Sequence, residues 1–233
     1  MPHISLIEDL TTGPISPGST LLVEFDPASQ WYNASLTIAT EWLKQGGTAW
    51  YHDYMAPPDN IRSKLKQMGL DVENLERNER LQIWDWYTCQ LGQKSREKYA
   101  HDSLKVADLS IQFSRVEMRR SMPGALYISD NTSVPARFND ERVYVEYVLT
   151  RVIPSYAMNQ SIGLRGVLKG VHNEWVYKQL EAAHAGIIDF TVEQVSGEWK
   201  NFITLRSMRD VGHDSRPHQL KVAENLQVTL EKQ

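Results

Sequence analysis

The chain has 233 residues, of which 41% are hydrophobic, and a formal charge of −4, so one α/β domain spanning 1–233 with a sizeable core is expected. No segment approaches the roughly 20 apolar residues needed to cross a bilayer, and the opening residues lack the basic end and apolar core of a secretory signal; a soluble, cytoplasmic protein is expected. The negative balance argues against wholesale nucleic-acid binding, and one cysteine, Cys89, excludes an intrachain disulfide and a cysteine-based zinc cluster.

In chain order, residues 6–16 read as a leading segment that ends in turns at Gly13 and Pro14 and at Pro17 and Gly18. An apolar run predicts a first strand over 20–25. Leu36, Ile38, Ala39, Trp42 and Leu43 recur at helical spacing, which predicts a helix over 33–45 with Asn33 as its cap and Gly46 and Gly47 as its stop. A second strand is expected over 48–53. Pro57 and Pro58 then restart the chain as a helix over 59–68, with Ile61, Leu65 and Met68 on one face. A polar helical turn over 72–80 leads to a third strand over 81–86. A polar connection over 90–102 precedes a long amphipathic helix over 104–121. Residues 125–129 read as a short buried strand. A helix is expected over 139–158 with Val143, Tyr144, Tyr147, Leu149 and Val152 as its stripe. A strand over 161–168 and a helix over 173–185 follow. Strands over 186–195 and 198–208 form a hairpin about Gly197, and 219–222 and 226–230 complete the sheet. Early strands alternating with helices predict a parallel core, and the hairpin-rich tail predicts an antiparallel extension.

Strand, loop and helix over 18–45 is the setting in which a phosphate-binding loop would sit. Such a loop needs glycines that let backbone N–H groups close on phosphate oxygens, a lysine for the outer phosphates, and a hydroxyl for the metal. The loop here is Asp26, Pro27, Ala28, Ser29, Gln30, Trp31 and Tyr32. It has neither Gly nor Lys, its proline donates no N–H, and its aspartate repels phosphate.

Several patches in order resemble the KaiC-like branch of the RecA-type ATPase family. They are 13–23 leading into the first strand, 68–83 across the second helix and third strand, 126–133 around the Walker B strand, and 182–189 with 205–213 at the closing strands and their basic motif. The resemblance covers roughly 13–230. It implies a RecA-like P-loop NTPase fold, with a mostly parallel central sheet, helices on both faces and an antiparallel carboxyl-terminal extension. On that pattern Trp31 and Tyr32 stand at the lysine and hydroxyl positions of the phosphate loop. Asp53 stands near the first of two acidic residues that activate water, and Tyr54 at the second, so Asp53 would act alone. The Walker B aspartate position falls on Ser129. Asp130 comes one residue later, on the opposite face of a strand. The family's basic pair, which reaches a neighbour's nucleotide, is Ser207 and Arg209. Both Walker motifs are thus degenerate. With three or four contacts missing together, hydrolysis of ATP by the family mechanism is not expected, and ATP with magnesium is disfavoured as a cofactor. The residues lean against an enzyme, with Asp53 the residual catalytic candidate.

Other constellations say less. The seven histidines are scattered without a helical metal spacing, so no metal is expected. His213 reads as a turn residue. Trp42, Trp50, Trp84 and Trp175 read as core. Trp31, Tyr32, Tyr54, Trp86 and Tyr87 fall near the carboxyl ends of the early strands, where open α/β sheets bind ligands. They either plug the vacated pocket or line an altered one. Arg115, Arg119 and Arg120, interrupted by Glu117, read as a solvated helix face. Neither a nucleophile elbow nor a dinucleotide fingerprint is present.

The reading reached is a non-catalytic KaiC/RecA-like subunit that works by binding, regulatory or signalling in role. It is expected to form a homo-oligomer, or a hetero-oligomer with an active KaiC/RecA-like ATPase. Trp31, Tyr32, Trp86, Arg206, Arg209 and His213 are its interface candidates. The alternatives are a residual ATP-binding switch using Asp53, Asp130 and Arg209, or a RecA-paralogue subunit that grips nucleic acid.

Overall fold

Thr20–Phe25, buried along its whole length, forms strand β1 in a computed structural model that describes residues 1–112 and 123–231. Helix α1 (Trp31–Lys44) follows, then β2 (Ala49–Asp53), α2 (Pro58–Gln67), α3 (Val72–Arg77), β3 (Leu81–Asp85), α4 (Tyr87–Gln90) and α5 (Val106–Gln112). Strand β4 (Leu126–Ser129) leads to α6 (Ser133–Arg137) and α7 (Glu141–Tyr147). A π-helical turn, Val148–Val152, joins α7 to α8 (Ile153–Asn159). Then come β5 (Ile162–Leu168), α9 (Glu174–Ala183), β6 (Gly186–Val195), β7 (Glu198–Met208), β8 (His218–Val222) and β9 (Val228–Leu230).

The described residues build one nine-stranded sheet in the order β3-β2-β4-β5-β1-β6-β7-β8-β9. From β3 to β6 all pairings are parallel, and from β6 to β9 they are antiparallel. Parallel strands buried on both faces explain why the early runs are uniformly apolar. One face carries α1, α2 and α3 over Leu21, Val23, Tyr51, Ile83 and Ile128. The other carries a cluster of Trp50, Trp84, Trp86, Tyr127 and Tyr156, and beside it a second of Leu22, Val167, Tyr144, Val148, Val176 and Leu180. Among the described residues no helix is long and apolar enough to cross a membrane.

Helix α1 is buried on nearly every side, because β9 closes over it: the Val228 N–H donates to Thr37 Oγ1 at 2.9 Å. It begins two residues earlier than its capping signal suggests. Asn33 is not the cap; its amide donates to Gln30 Oε1 at 2.8 Å, and the Ala34 N–H reaches the Gln30 carbonyl. Trp31 and Tyr32 are therefore the first helical residues and not the end of a loop.

The expected stripe over 139–158 also shifts. Val143 is 51% exposed, while Tyr144, Val145, Val148, Val152 and Tyr156 face inward. Within α7 the buried face is that of Tyr144 and Val145; further on, Pro154 lacks an N–H, and the π turn just before it shifts the phase of the residues that follow. Trp175 is likewise not core. It is 44% exposed with the Arg142 guanidinium 5.9 Å above its ring, and Val176 and Leu180 make the buried stripe. The rest of the helix expected over 104–121, with Arg115, Glu117, Arg119 and Arg120, lies outside the described residues.

Candidate functional site

The carboxyl ends of β1, β2 and β4 meet the first turn of α1. The loop between β1 and α1 is pinned to β6: the Asp26 N–H donates to the Phe190 carbonyl at 2.9 Å, and Asp26 Oδ2 accepts from the Val192 N–H at 3.1 Å. Asp26, Pro27, Ala28 and Ser29 make a tight turn closed by Ser29 N–H to the Asp26 carbonyl at 3.0 Å. Gln30 then leads into the helix. This is a turn packed on a strand, not a nest of free N–H groups.

Trp31 is completely buried beyond β1. Its indole lies 5.3 Å from the Phe190 ring and 6.4 Å from the Phe25 ring, and its Nε1–H donates to the Asp130 carbonyl at 2.7 Å. Gly166 makes the room. A Cβ there would fall inside van der Waals contact of both the Asp130 carbonyl oxygen and Trp31 Nε1. Because one of those atoms is backbone, Gly166→Ala is expected to lose about 1–3 kcal/mol in a urea titration. A neutral result would mean that the indole is not held as described.

Beneath Trp31 lies a pair of carboxyl groups. The β2–β4 register, His52 opposite Ser129, runs on to set Asp53 beside Asp130. Both are fully buried. Asp53 is thus not alone. Ser129, at the Walker B position, faces the other side of the sheet, as alternation along a strand requires. Asp130 accepts backbone N–H groups from Tyr54 (3.0 Å) and Met55 (3.3 Å), and Asp53 Oδ1 accepts from Ala56 (3.0 Å). Burial raises the pKa of both groups. For Asp53 the facing Asp130 charge adds to the rise, while for Asp130 the backbone donors oppose it. The other Asp53 oxygen meets no N–H donor, and the nearness of the two buried carboxyl groups favours retention of a proton by the pair. Asp85 on β3 stands opposite Asp53 and accepts from Thr88 N–H at 2.9 Å and Ser95 Oγ at 2.6 Å. Tyr32 caps the pair, its phenol pKa raised by burial and then by the Asp53 and Asp130 charges. The Lys64 ammonium sits 4.4 Å above the Tyr32 ring, its pKa lowered by burial.

The interface candidates do not gather here. Trp86 is 5% exposed, donates to His52 Nδ1 at 3.0 Å and stacks on His101 and Tyr54, so it offers no surface to a docking subunit. Trp31 fails as a surface anchor for the same reason. Arg206 is ion-paired to Glu24 and Glu181. Arg209 is exposed and donates to the carbonyls of Glu181 and Ala182 at the end of α9. His213 bridges to Thr11 through the backbone. Leu21 pairs with Gly186, and Gly186 with Met208, which puts Arg209 at the amino end of β1. That is four residues, roughly 13 Å of strand, from Phe25. Among the described residues no group of three His, Cys, Asp or Glu side chains is placed to hold a metal ion.

Arg165, Gly166 and Tyr156 escaped the sequence reading, and Tyr144 figures there only as part of a helical stripe. The available signal was a lone arginine inside the apolar run of β5, where a charge in a buried parallel strand requires a reason.

Strand order, the helix over the end of β1 and the antiparallel close are those of a RecA-type α/β fold, the fold of KaiC-like proteins. The crystal structure of KaiC-like protein PH0186 from Pyrococcus horikoshii OT3 superposes with a TM-score of 0.76 at 14% identity, covering 99% of this chain and 97% of that one. In sequence the chain is similar to the UPF0273 protein PH0284 of Pyrococcus horikoshii, 24% identical over 235 residues, covering 94% of this chain and 88% of that protein. No protein-family model matches the chain.

Proposed function

We propose that this protein is a non-catalytic KaiC/RecA-like subunit that acts by binding other protein chains, with a regulatory role in the cytoplasm. The observation that carries the reading is Trp31, which fills the space beyond β1 and is anchored to the Asp130 carbonyl. A triphosphate with magnesium needs converging cations and N–H donors. The residues around Trp31 supply two buried carboxyl groups and a phenol, and the nearby Lys64 is engaged with the Tyr32 ring. They do not fit that ligand. A nucleotide switch using Asp53, Asp130 and Arg209 would need Arg209 to leave the opposite end of the sheet. A nucleic-acid grip would need unpaired basic groups, whereas Arg62, Arg80, Arg206 and Arg216 are held by carboxylates or carbonyls.

The most exposed tryptophan among the described residues is Trp199, 71% exposed beside the β6–β7 turn. A tryptophan of this kind is a typical interface anchor. The partner is a second copy of this chain or an active KaiC/RecA-like ATPase.

Thermal melting with ATP and magnesium checks the first half. Ligand at a hundred times its dissociation constant would add about 2.7 kcal/mol, and no shift is expected. Sedimentation checks the second half: a species larger than the 26.8 kDa protomer is expected, and Trp199→Ser should return it to monomer. A nucleotide-dependent shift abolished by Asp53→Asn would overturn the proposal. So would a strict monomer that does not associate with a KaiC-like ATPase.

A further inference from the structure

Arg165 projects from β5 onto the face covered by α7 and α8 and is 94% buried, the complement of its 6% exposure. A buried cation ordinarily sits against a carboxylate. Among the described residues none pairs with it. Its partners are the Tyr144 hydroxyl, 3.3 Å from Nη2, and the Tyr156 phenol. Both buried histidines within its field, His52 and His184, have pKa values pushed down to about 3, by burial first and with Arg165 contributing to each. They are neutral and add no counter-charge.

The guanidinium borders a cavity of about 40 Å³. Its other walls with polar atoms are His52, Trp86, Ser129 and the phenols of Tyr54, Tyr144, Tyr147 and Tyr156. The Trp86 indole N–H donates to His52 Nδ1, so the remaining ring proton is on Nε2 and the ring is a donor there. Phenols and a serine hydroxyl also donate, and no carboxylate lines the space. A pocket rich in donors and carrying one unbalanced positive charge is complementary to an anion. Its volume takes an ion of a few atoms, far smaller than a nucleotide. The cavity lies across the sheet from Asp53 and Asp130, so it is separate from the site described above.

We propose that this cavity binds a small monovalent inorganic anion of chloride or nitrate size, held by Arg165 with His52 Nε2–H and the surrounding hydroxyls. The anion supplies the counter-charge that the described residues do not, and so ties α7 and α8 to the sheet.

The test is melting of the full chain in sodium chloride at constant ionic strength, with gluconate, too large for the cavity, as the balancing anion. A saturable rise of about 5 °C or more is expected at a hundredfold excess over the dissociation constant. Tyr144→Phe should weaken the response at least several-fold, and Arg165→Met should abolish it. A linear response, or one of equal size in both variants, would overturn the proposal. Should Arg165→Met not fold, crystals of the unaltered protein soaked in bromide decide: an anomalous peak beside Arg165 supports the site, and its absence refutes it. Phenolate absorbance at neutral pH would also refute it, because a tyrosine would then be the counter-ion.

Discussion

Trp31→Ala is expected to lower stability by about 3–5 kcal/mol, the range for deleting a large buried aromatic whose surroundings collapse only in part. Collapse is restricted here on three sides. Phe25 and Phe190 belong to central strands, and the Asp130 carbonyl, which receives the indole N–H, would be left buried without that donor. The substitution opens space where the family's phosphates would lie, yet no gain of ATP binding is expected. The Asp53–Asp130 pair remains beneath, and neither lysine nor glycine has been added. Urea unfolding reads the stability, and melting with ATP and magnesium reads the ligand. A loss below about 1 kcal/mol would show that the indole is not a packing element; acquired nucleotide binding would show that the ring alone excludes the ligand.

The second large effect is a pH dependence owed to Asp53 and Asp130. Both pKa values are raised in the fold above the unfolded aspartate value, so their contribution is fully present below about pH 4 and is lost as pH rises through the folded values. Where the native pair keeps one proton that the unfolded chain has released, stability falls by about 1.4 kcal/mol per pH unit. His52 and His184 act in the opposite sense. Their folded values are depressed, so their contribution is present above about pH 6.5 and is lost on acidification. Stability should therefore peak near neutrality, with the alkaline fall belonging to the acidic pair. Asp53→Asn isolates it: the amide preserves the acceptor for Ala56 N–H and donates permanently to Asp130. The stability of the variant relative to the parent should climb with pH from about 5 upward, by about 1.4 kcal/mol per pH unit for as long as the pair keeps its proton. Asp130→Asn should instead destabilise, because the Tyr54 and Met55 N–H groups would lose a carboxylate acceptor. Parallel pH profiles for parent and Asp53→Asn would refute the shared proton.

Much of the fold can be read along the chain because its determinants are local. Gly186 and Gly197 delimit a hairpin whose strands fall where the apolar runs and turn residues place them. Pro58 starts α2 from its first turn, and the missing lysine and glycines between β1 and α1 are visible in eight consecutive residues. Readings that relied on phase along one helix went astray. Val143 and Trp175 match an apolar stripe, but the faces of α7 and α9 that are buried are those of Tyr144 and Val145 and of Val176 and Leu180, which leaves both outside.

By itself, then, the sequence determined the alternation of strands and helices, the antiparallel close and a loop without phosphate-binding groups, all of which depend on neighbours within a few positions. Tertiary structure alone decided that Trp31 is buried, that Asp53 and Asp130 lie buried side by side, and that Arg165 faces phenols. Those outcomes depend on the register between strands whose paired residues lie 77 positions apart for β2 and β4 and 36 for β4 and β5, and on which helix covers which face, and each is settled by burial summed over the whole core.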